Sequence, residues 1–220
     1  MPQRLDHSDH GKPAHLQQAE SETFMTNLHR LLPVALALAA LSVGAHAQTN
    51  TATTVQRDVN QQQRIEQGLQ SGALTTREAG SLEKAEAKVS RDQARALQDG
   101  KLSDAERARL TAEQNRVSQK IYNEKHDAAT GNPNSASSQR MQADVQRDIN
   151  QQQRIENGVK DGSLTNREVG SLEHGQARDD HRQAHAAKDD HVGAREQANI
   201  QASEDRQSER VHNKRHNGVH

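Results

Sequence analysis

The stretch SGALTTRE at residues 71–78 decides how this chain is expected to fold, because its pattern recurs twice. The later copies are DGKLSDAE at residues 99–106 and DGSLTNRE at residues 161–168. In each copy a glycine is followed two positions later by leucine, then by serine or threonine, and three positions after that by glutamate. Two structures have this pattern: the second half of a calcium-binding loop, and the boundary between two helices.

A calcium loop fits only half of the pattern. If Gly100 takes position 6 of an EF-hand loop, then Asp99, Ser103 and Glu106 stand at the ligand positions 5, 9 and 12. Positions 1 and 3 also need oxygen ligands, and in the three copies they hold Gln67 and Leu69, Arg95 and Leu97, and Asn157 and Val159. Apolar or basic residues there remove the ligands of a divalent cation, so the pattern favours a helix boundary.

The helix boundary accounts for all of the recurring residues. A glycine in the left-handed conformation commonly ends a helix, which explains Gly72, Gly100 and Gly162. A serine or threonine followed three positions later by glutamate forms a capping box that begins the next helix. The three capping pairs are Thr75 and Glu78, Ser103 and Glu106, and Thr165 and Glu168.

The sequence contains two tandem copies of one repeat. Residues 55–127 align without a gap with residues 145–217 at an offset of 90 positions; VQRDVNQQQRIEQG, for example, matches VQRDINQQQRIENG. The segment between them, AATGNPNSASSQRMQA at residues 128–143, has the glycine, proline, asparagine and serine content of a flexible linker. We therefore expect a first helical unit at 55–127, a linker at 128–143, and a second unit at 144–217 that becomes degenerate after residue 174.

Each unit is expected to contain three helices, which in the first unit lie at about residues 54–71, 75–98 and 103–126. Apolar residues recur at helical spacing, but only as a narrow stripe similar to a coiled-coil seam. The predicted fold is all-α, with two tandem units that are each a three-helix antiparallel bundle or a long hairpin. Because so little apolar area is available, each unit is marginal alone, and self-association or a protein partner is expected.

The N-terminal region has the features of an export signal. A basic start at residues 25–30 precedes an apolar run at 31–44 and the small-x-small sequence Ala45-His46-Ala47. We predict a signal peptide at 25–47, a leader or misassigned start at 1–24, and a disordered segment at 48–54. The mature protein is then periplasmic or secreted, without a stable membrane anchor, since about 14 apolar residues cannot span a bilayer. An uncleaved anchor at 31–44 is the alternative.

The composition excludes several function classes. Removing residues 1–47 leaves 26 basic residues (29 minus 3) and 26 acidic residues (30 minus 4), so no basic field for nucleic acid is expected. The mature chain has Tyr122 as its one aromatic residue, and there is no cysteine for a disulfide or a thiol nucleophile. Because no phosphate loop, nucleophile elbow or HExxH pair is present either, we expect neither an enzyme nor a bound cofactor.

The histidines of the second unit suggest metal binding, the one specific chemistry that the sequence indicates. The first unit has four permanent cations at Lys84, Arg91, Arg95 and Lys101. At the equivalent positions the second unit has His174, His181, His185 and His191. Histidines four residues apart on a helix form a chelate for zinc, nickel or copper. These four residues are therefore the candidate metal ligands.

Two other interpretations of the histidines remain open. They can result from substitution drift on a solvated face, since the second unit also replaces the core residues Val89, Leu97 and Val117 by Asp179, Ala187 and Gln207. They can also sense protons, because unperturbed histidines become charged near pH 6.5 and could loosen an oligomer in acid. His126 and His216, which both units share, are expected to cap the third helix of each unit.

The run RIEQG…SGALTTREAGSLE…LQDGKLSDAERARL…QKIYNEKHD resembles uncharacterised small exported helical repeat proteins of proteobacteria. The resemblance covers residues 55–127 and fades after Glu173. It implies a periplasmic helical protein and transfers no catalytic residue. We therefore expect a non-enzymatic binding or stress-related interaction protein that acts through exposed amphipathic helices, with histidine-dependent metal binding as the alternative.

Overall fold

The computed structural model describes residues 32–218, with side chains from Gln48 onward. The chain divides between Ala40 and Leu41, and the described residues from Leu41 onward form one compact unit. The expected leader at 1–24 lies outside the described residues, and of the expected signal peptide only a helical backbone from Leu32 is described. None of the described helices has the combination of length and apolar character that crossing a bilayer demands.

Every regular element in the described part is helical, which confirms the all-α prediction. A short 3-10 turn at Ala187–Asp189 precedes the last helix. The helices are α1 (Leu32–Ser71), α2 (Thr76–Ala96), α3 (Asp104–Lys125), α4 (Ala136–Lys160), α5 (Asn166–Ala186) and α6 (Ala194–Arg215).

The helix boundaries predicted at the three capping boxes are confirmed. The Thr75 side chain accepts a hydrogen bond from the Glu78 amide, and the Glu78 carboxylate accepts one from the Thr75 amide at 2.8 Å. The other two predicted capping boxes have the same bonds. The glycines before the three boxes have left-handed φ values of 75°, 87° and 77°, at Gly72, Gly100 and Gly162.

The structure differs from the prediction at the start of the first unit and in the linker. Residues 48–54, expected to be disordered, belong to α1, and Ala52 is buried there. The second half of the expected linker is helical, because Ser135 caps α4 by accepting a hydrogen bond from the Ser138 amide. The remaining loop packs against the α1–α2 turn, where the Gly131 amide donates to the Gly72 carbonyl at 2.9 Å.

The two repeats pack together through α2 and α5, which share an extensive interface. A Cβ atom on Gly80 of α2 would lie 2.5 Å from the Cβ of Ala187. The equivalent Gly170 of α5 faces Leu97 in the same way, with 3.0 Å to its Cβ. The helices are therefore antiparallel and related by an approximate two-fold axis. The expected arrangement as two tandem units is not confirmed, because the described residues from Leu41 onward form one compact unit.

Apolar residues form two clusters, and each cluster takes residues from both repeats. One combines the C-terminal half of α1 with the N-terminal half of α4, and includes Ile65, Leu69, Leu82, Met141 and Val145. The other combines an earlier part of α1, at Val55, with the C-terminal half of α4, and includes Leu97, Ile155, Val159 and Leu172. Between the two clusters, the middle of each helix contributes polar residues. The narrow stripe of each repeat is thus buried by the other repeat.

The close approach at Gly80 predicts the effect of enlarging this residue. We expect Gly80→Leu to lower the free energy of unfolding by about 1–3 kcal/mol, because the added side chain must push α2 away from Ala187. Urea unfolding followed by circular dichroism measures the change. Ala108→Leu on the exposed face of α3 is the control and should shift stability by less than about 0.5 kcal/mol. Equal effects of the two substitutions would contradict close packing of α2 against α5.

Candidate functional site

The centre of the helical unit contains an unusual number of buried carboxyl groups. Nine acidic side chains are no more than 3% exposed, although acidic residues are almost never fully buried unless they are paired. They alternate along the helices with buried glutamines, which supply most of their hydrogen bonds. The nine are Asp58, Glu83, Glu86, Asp144, Asp148, Glu173, Asp179, Asp180 and Glu204.

The most compact group among them joins three helices. Glu83 of α2, Asp148 of α4 and Asp180 of α5 each offer one carboxylate oxygen, and these three oxygens lie within 4.8 Å of one another. All three side chains are buried. This carboxylate cluster is the candidate functional site, because oxygens at such distances can all contact a single cation with bonds of about 2.4 Å.

Two oxygens of the carboxylate cluster have no hydrogen-bond donor. Gln62 Nε2 donates to Glu83 Oε2 at 2.9 Å, and Gln183 Nε2 donates to Asp148 Oδ2 at 2.5 Å. Glu83 Oε1 and Asp148 Oδ1 are buried but accept no hydrogen bond from any described residue. A buried acceptor without a donor costs about 1–3 kcal/mol, so the cluster is incomplete in terms of polar contacts.

The cluster also has no cationic side chain bound to it: among residues 48–218, no lysine, arginine or histidine forms an ion pair with any of the three carboxylates. Burial raises the pKa of Glu83 to about 7. Burial, and then the charges of Glu204 and Asp180, raise the pKa of Asp148 well above its ordinary value. No cationic side chain of the described helices therefore compensates the negative charge of this site, and burial keeps water from doing so.

Glu86, one helical turn after Glu83, extends the cluster. Its Oε1 atom is buried without a hydrogen-bond donor in the described part of the chain. Burial, followed by the charges of Asp58 and Glu83, raises the pKa of Glu86 well above its ordinary value. Its charge in turn helps to raise the pKa of Asp180. A fourth carboxylate is thus available beside the three.

The approximate two-fold axis relates this cluster to a weaker counterpart, in which Asp58 and Glu173 stand for Asp148 and Glu83. At the position of Asp180 the first repeat has Ser90, whose hydroxyl donates to Asp180 Oδ2 at 3.3 Å. The counterpart thus has two carboxylates instead of three. Both oxygens of its aspartate accept hydrogen bonds, from Gln93 and Gln114.

The donor set indicates which ligand the carboxylate cluster can hold. All of its donors are carboxylate oxygens, which suit hard cations such as Ca²⁺, Mg²⁺ and Mn²⁺. Soft or borderline metals prefer imidazole and thiolate, and neither contributes to the cluster. The same oxygens can instead hold protons, because a carboxyl with a raised pKa is neutral in mild acid.

A second group of carboxylates lies at the surface, where Glu78 meets Glu124 and Asp127. These side chains are partly or fully exposed, and exposed carboxylates need no counterion other than solvent salt. In the second repeat the corresponding Glu168 accepts a hydrogen bond from the side chain of Asn217 at 2.5 Å. We do not regard this group as a site.

All four histidines predicted to bind metal are exposed: His174, His181 and His185 on α5, and His191 after the 3-10 turn. His181 and His185 line one depression of about 300 Å³ together with Glu196 of α6. In the described residues, the groups of three donors close enough for one ion contain no histidine. Transition-metal binding by these residues stays a prediction.

The two shared histidines lie where capping was predicted. His126 and His216 are the C-terminal cap residues of α3 and α6. In each, Nδ1 lies 2.7 Å from the carbonyl oxygen four residues earlier, at Tyr122 and His212. With a proton on Nδ1, each ring donates a hydrogen bond to a carbonyl that the helix itself leaves without a donor.

Sequence reasoning did not identify the carboxylate cluster, although the repeat contains a signal for it. Asp58 lies three positions after Val55 and seven before Ile65, on the apolar side of its helix, and Asp148 repeats this placement. Acidic residues on an apolar face are expected to be buried with it. Their interspersion with arginines and lysines favoured a solvated face instead.

The raised pKa values predict how metal-free protein responds to pH. Asp58 and Glu83 lose their protons near pH 4 in the unfolded chain, but near pH 7 in the folded protein. The folded state therefore holds more protons between about pH 4 and pH 7, so the free energy of unfolding falls as the pH rises through this window. For Glu83 alone the fall is on the order of 3 kcal/mol.

Urea unfolding at pH 5 and pH 8, in the presence of a chelator, measures this response. We expect a lower midpoint at pH 8, and a smaller difference for Glu83→Gln, which has no proton to lose. Glu209→Gln on the exposed face of α6 is the matched control and should keep the wild-type difference. A higher midpoint at pH 8, or an unchanged difference in Glu83→Gln, would show that these carboxyls are not buried as described.

Comparison with known proteins does not assign the chain to a family. No protein-family model matches it, and no curated protein or solved structure matches it either. The residues of the carboxylate cluster and their geometry are thus the basis for the function proposed next.

Proposed function

We propose that this protein is an exported, non-enzymatic binding protein that takes up one hard divalent cation in its carboxylate cluster. The observation that carries the proposal is the meeting of Glu83, Asp148 and Asp180, three buried carboxylates without a cationic partner among the described residues. A divalent cation would neutralise two of these charges and provide the contacts that Glu83 Oε1 and Asp148 Oδ1 lack.

The energetics favour a cation over an uncompensated site. Burying a carboxylate without a partner costs several kcal/mol, and the cost grows when like charges share one site. Below about pH 7 the proton supplies the compensation, whereas above it only a cation can. Cation and proton therefore compete for the same oxygens, and the affinity for the cation rises with pH.

Export and the absence of catalysis are supported by the sequence. The signal-like segment at residues 25–47 supports a periplasmic or secreted location. The expected partner binding through exposed amphipathic helices has little surface in this fold, since Tyr122 is the one exposed large apolar side chain in residues 48–218. Cation uptake needs no such surface.

Calorimetric titration of Mn²⁺, Ca²⁺ and Mg²⁺ at pH 7.5 into chelator-treated protein tests the proposal. We expect saturation at one ion per chain, and at least about tenfold weaker binding by Asp148→Asn, which removes a charged ligand. The matched control is Asp58→Asn, the same substitution at the equivalent position of the other repeat. Because both oxygens of Asp58 already accept hydrogen bonds, this variant should bind as the wild type does.

Two results would contradict the proposal. One is the absence of saturable binding of all three ions by folded wild-type protein. The other is equal loss of affinity in Asp148→Asn and Asp58→Asn, which would indicate a general effect of net charge. Unfolding midpoints of both variants in chelator show whether each still folds.

The same calorimetric titration distinguishes metal binding by the histidines from cation binding by the carboxylate cluster. His181→Arg with His185→Arg restores the residues of the first repeat at Arg91 and Arg95. If His181 and His185, which share a depression with Glu196, form a chelate, this double variant loses affinity for Zn²⁺, Ni²⁺ and Cu²⁺. Its affinity for Mn²⁺ and Ca²⁺ should be unchanged, because no histidine belongs to the carboxylate cluster.

A further inference from the structure

Four arginines surround a depression of about 320 Å³ between α5 and α6. Arg178 and Arg182 lie four residues apart on α5, and Arg206 and Arg210 lie four residues apart on α6. Residues four apart share one face of a helix, so each helix presents both of its arginines to the depression. We call this feature the arginine depression.

Most of these guanidinium groups have no hydrogen-bonded partner in the described part of the chain. Arg178, Arg182 and Arg206 are exposed and form neither a hydrogen bond nor an ion pair with any residue in the described part. Arg210 is held in place, because it donates to the Ser171 carbonyl at 2.9 Å and to Gln207 Oε1 at 3.2 Å. Like charges four residues apart on a helix repel, so the arrangement costs free energy unless an anion binds.

The floor of the arginine depression contains one acidic residue. Asp179 is buried, and its Oδ1 atom accepts a hydrogen bond from the Ser203 hydroxyl at 2.5 Å. One carboxylate, already hydrogen-bonded to serine, faces four permanent cations. The depression therefore keeps a net positive charge of about three, calculated from four arginines and one aspartate.

The first repeat carries less positive charge at the same place, where Lys88, Arg116 and Lys120 stand beside Asp92 and Glu113. Its Lys88 forms an ion pair with Asp92 at 2.8 Å and a second ion pair with Glu113. In the second repeat Arg182 replaces Asp92, and Ser203 replaces Glu113. Two negative charges have thus been lost and one positive charge added around the depression, against one negative charge gained where Asp179 replaces Val89.

The changes beneath this surface fit one another. Gln207 replaces Val117, and Gly175 replaces Ala85. A Cβ atom on residue 175 would lie 2.0 Å from Gln207 Oε1, so glycine makes room for the larger polar side chain. Gln207 then donates to the Leu172 carbonyl at 2.8 Å and accepts from Arg210. Random loss of the core does not explain a set of substitutions that are sterically compensated and hydrogen-bonded.

The type of cation identifies the ligand. Arg178 and Arg210 replace Lys88 and Lys120, so that all four cations are guanidinium groups. A guanidinium binds two oxygens of a phosphate with paired hydrogen bonds, which a lysine ammonium cannot do. We infer that the arginine depression is a binding site for a phosphate-bearing anion of two or more negative charges. The phosphate belongs either to a soluble compound or to a lipid headgroup.

Calorimetric titration with pyrophosphate at pH 7.5 and low salt tests this site. We expect saturable binding that weakens as the salt concentration rises, and at least about tenfold weaker binding by Arg182→Asp, which restores the residue of the first repeat. The matched control is Arg109→Asp on α3, an exposed arginine without a described partner, which changes the net charge equally. This control should keep at least half of the wild-type affinity.

Vesicles identify the source of the phosphate. Sedimentation with vesicles of phosphatidic acid and phosphatidylcholine, which Arg182→Asp prevents and Arg109→Asp does not, supports the site and assigns a lipid headgroup. Binding of pyrophosphate without vesicle binding supports the site and assigns a soluble compound. Failure to bind either probe overturns the inference, as does equal weakening by the two variants. Mn²⁺ binding at the carboxylate cluster should be unchanged in Arg182→Asp, so this site and the proposed function can fail independently.

Discussion

The close packing of α2 against α5 is the constraint on which the rest of the structure depends. Gly80 and Gly170 allow the two backbones to approach at both ends of the interface, where any larger side chain would meet Ala187 or Leu97. Only this approach gives each repeat enough apolar contact to bury its narrow stripe. Glu83 of α2 and Asp180 of α5 are buried in this arrangement. The same interface that stabilises the fold therefore creates its uncompensated charge.

Local features of this fold could be read from the sequence, and the tertiary ones could not. A capping box involves residues three positions apart, so Thr75 and Glu78 could be predicted without knowledge of any neighbour. The pairing of α2 with α5 depends on close contacts between residues far apart in the sequence, Gly80 with Ala187 and Gly170 with Leu97, and the apolar pattern does not specify those contacts. Asp148 therefore looked like one more charge on a solvated helix. The capping signal of Ser135 was hidden in a polar segment that resembled a linker.

The substitutions that distinguish the second repeat from the first follow a consistent pattern of charge. Relative to the first repeat, α5 gained acidic side chains on its buried face, at Asp179 and Asp180, and a basic one on its exposed face, at Arg182. These positions are adjacent in sequence, but the helix turns them toward different surroundings. The second repeat thus differs from the first in charge more than in shape. A chain of nearly balanced total charge can in this way hold a negative interior and a locally positive surface.

Acid acts on the carboxyl groups at the centre of the helical unit. Burial raises their pKa values, so protonation in mild acid neutralises them and stabilises the folded state. The interior should dominate stability, because buried charges interact in a low dielectric while exposed charges are weakened by solvent and salt. A loss of stability in mild acid is for this reason inconsistent with the buried carboxyl groups at the centre.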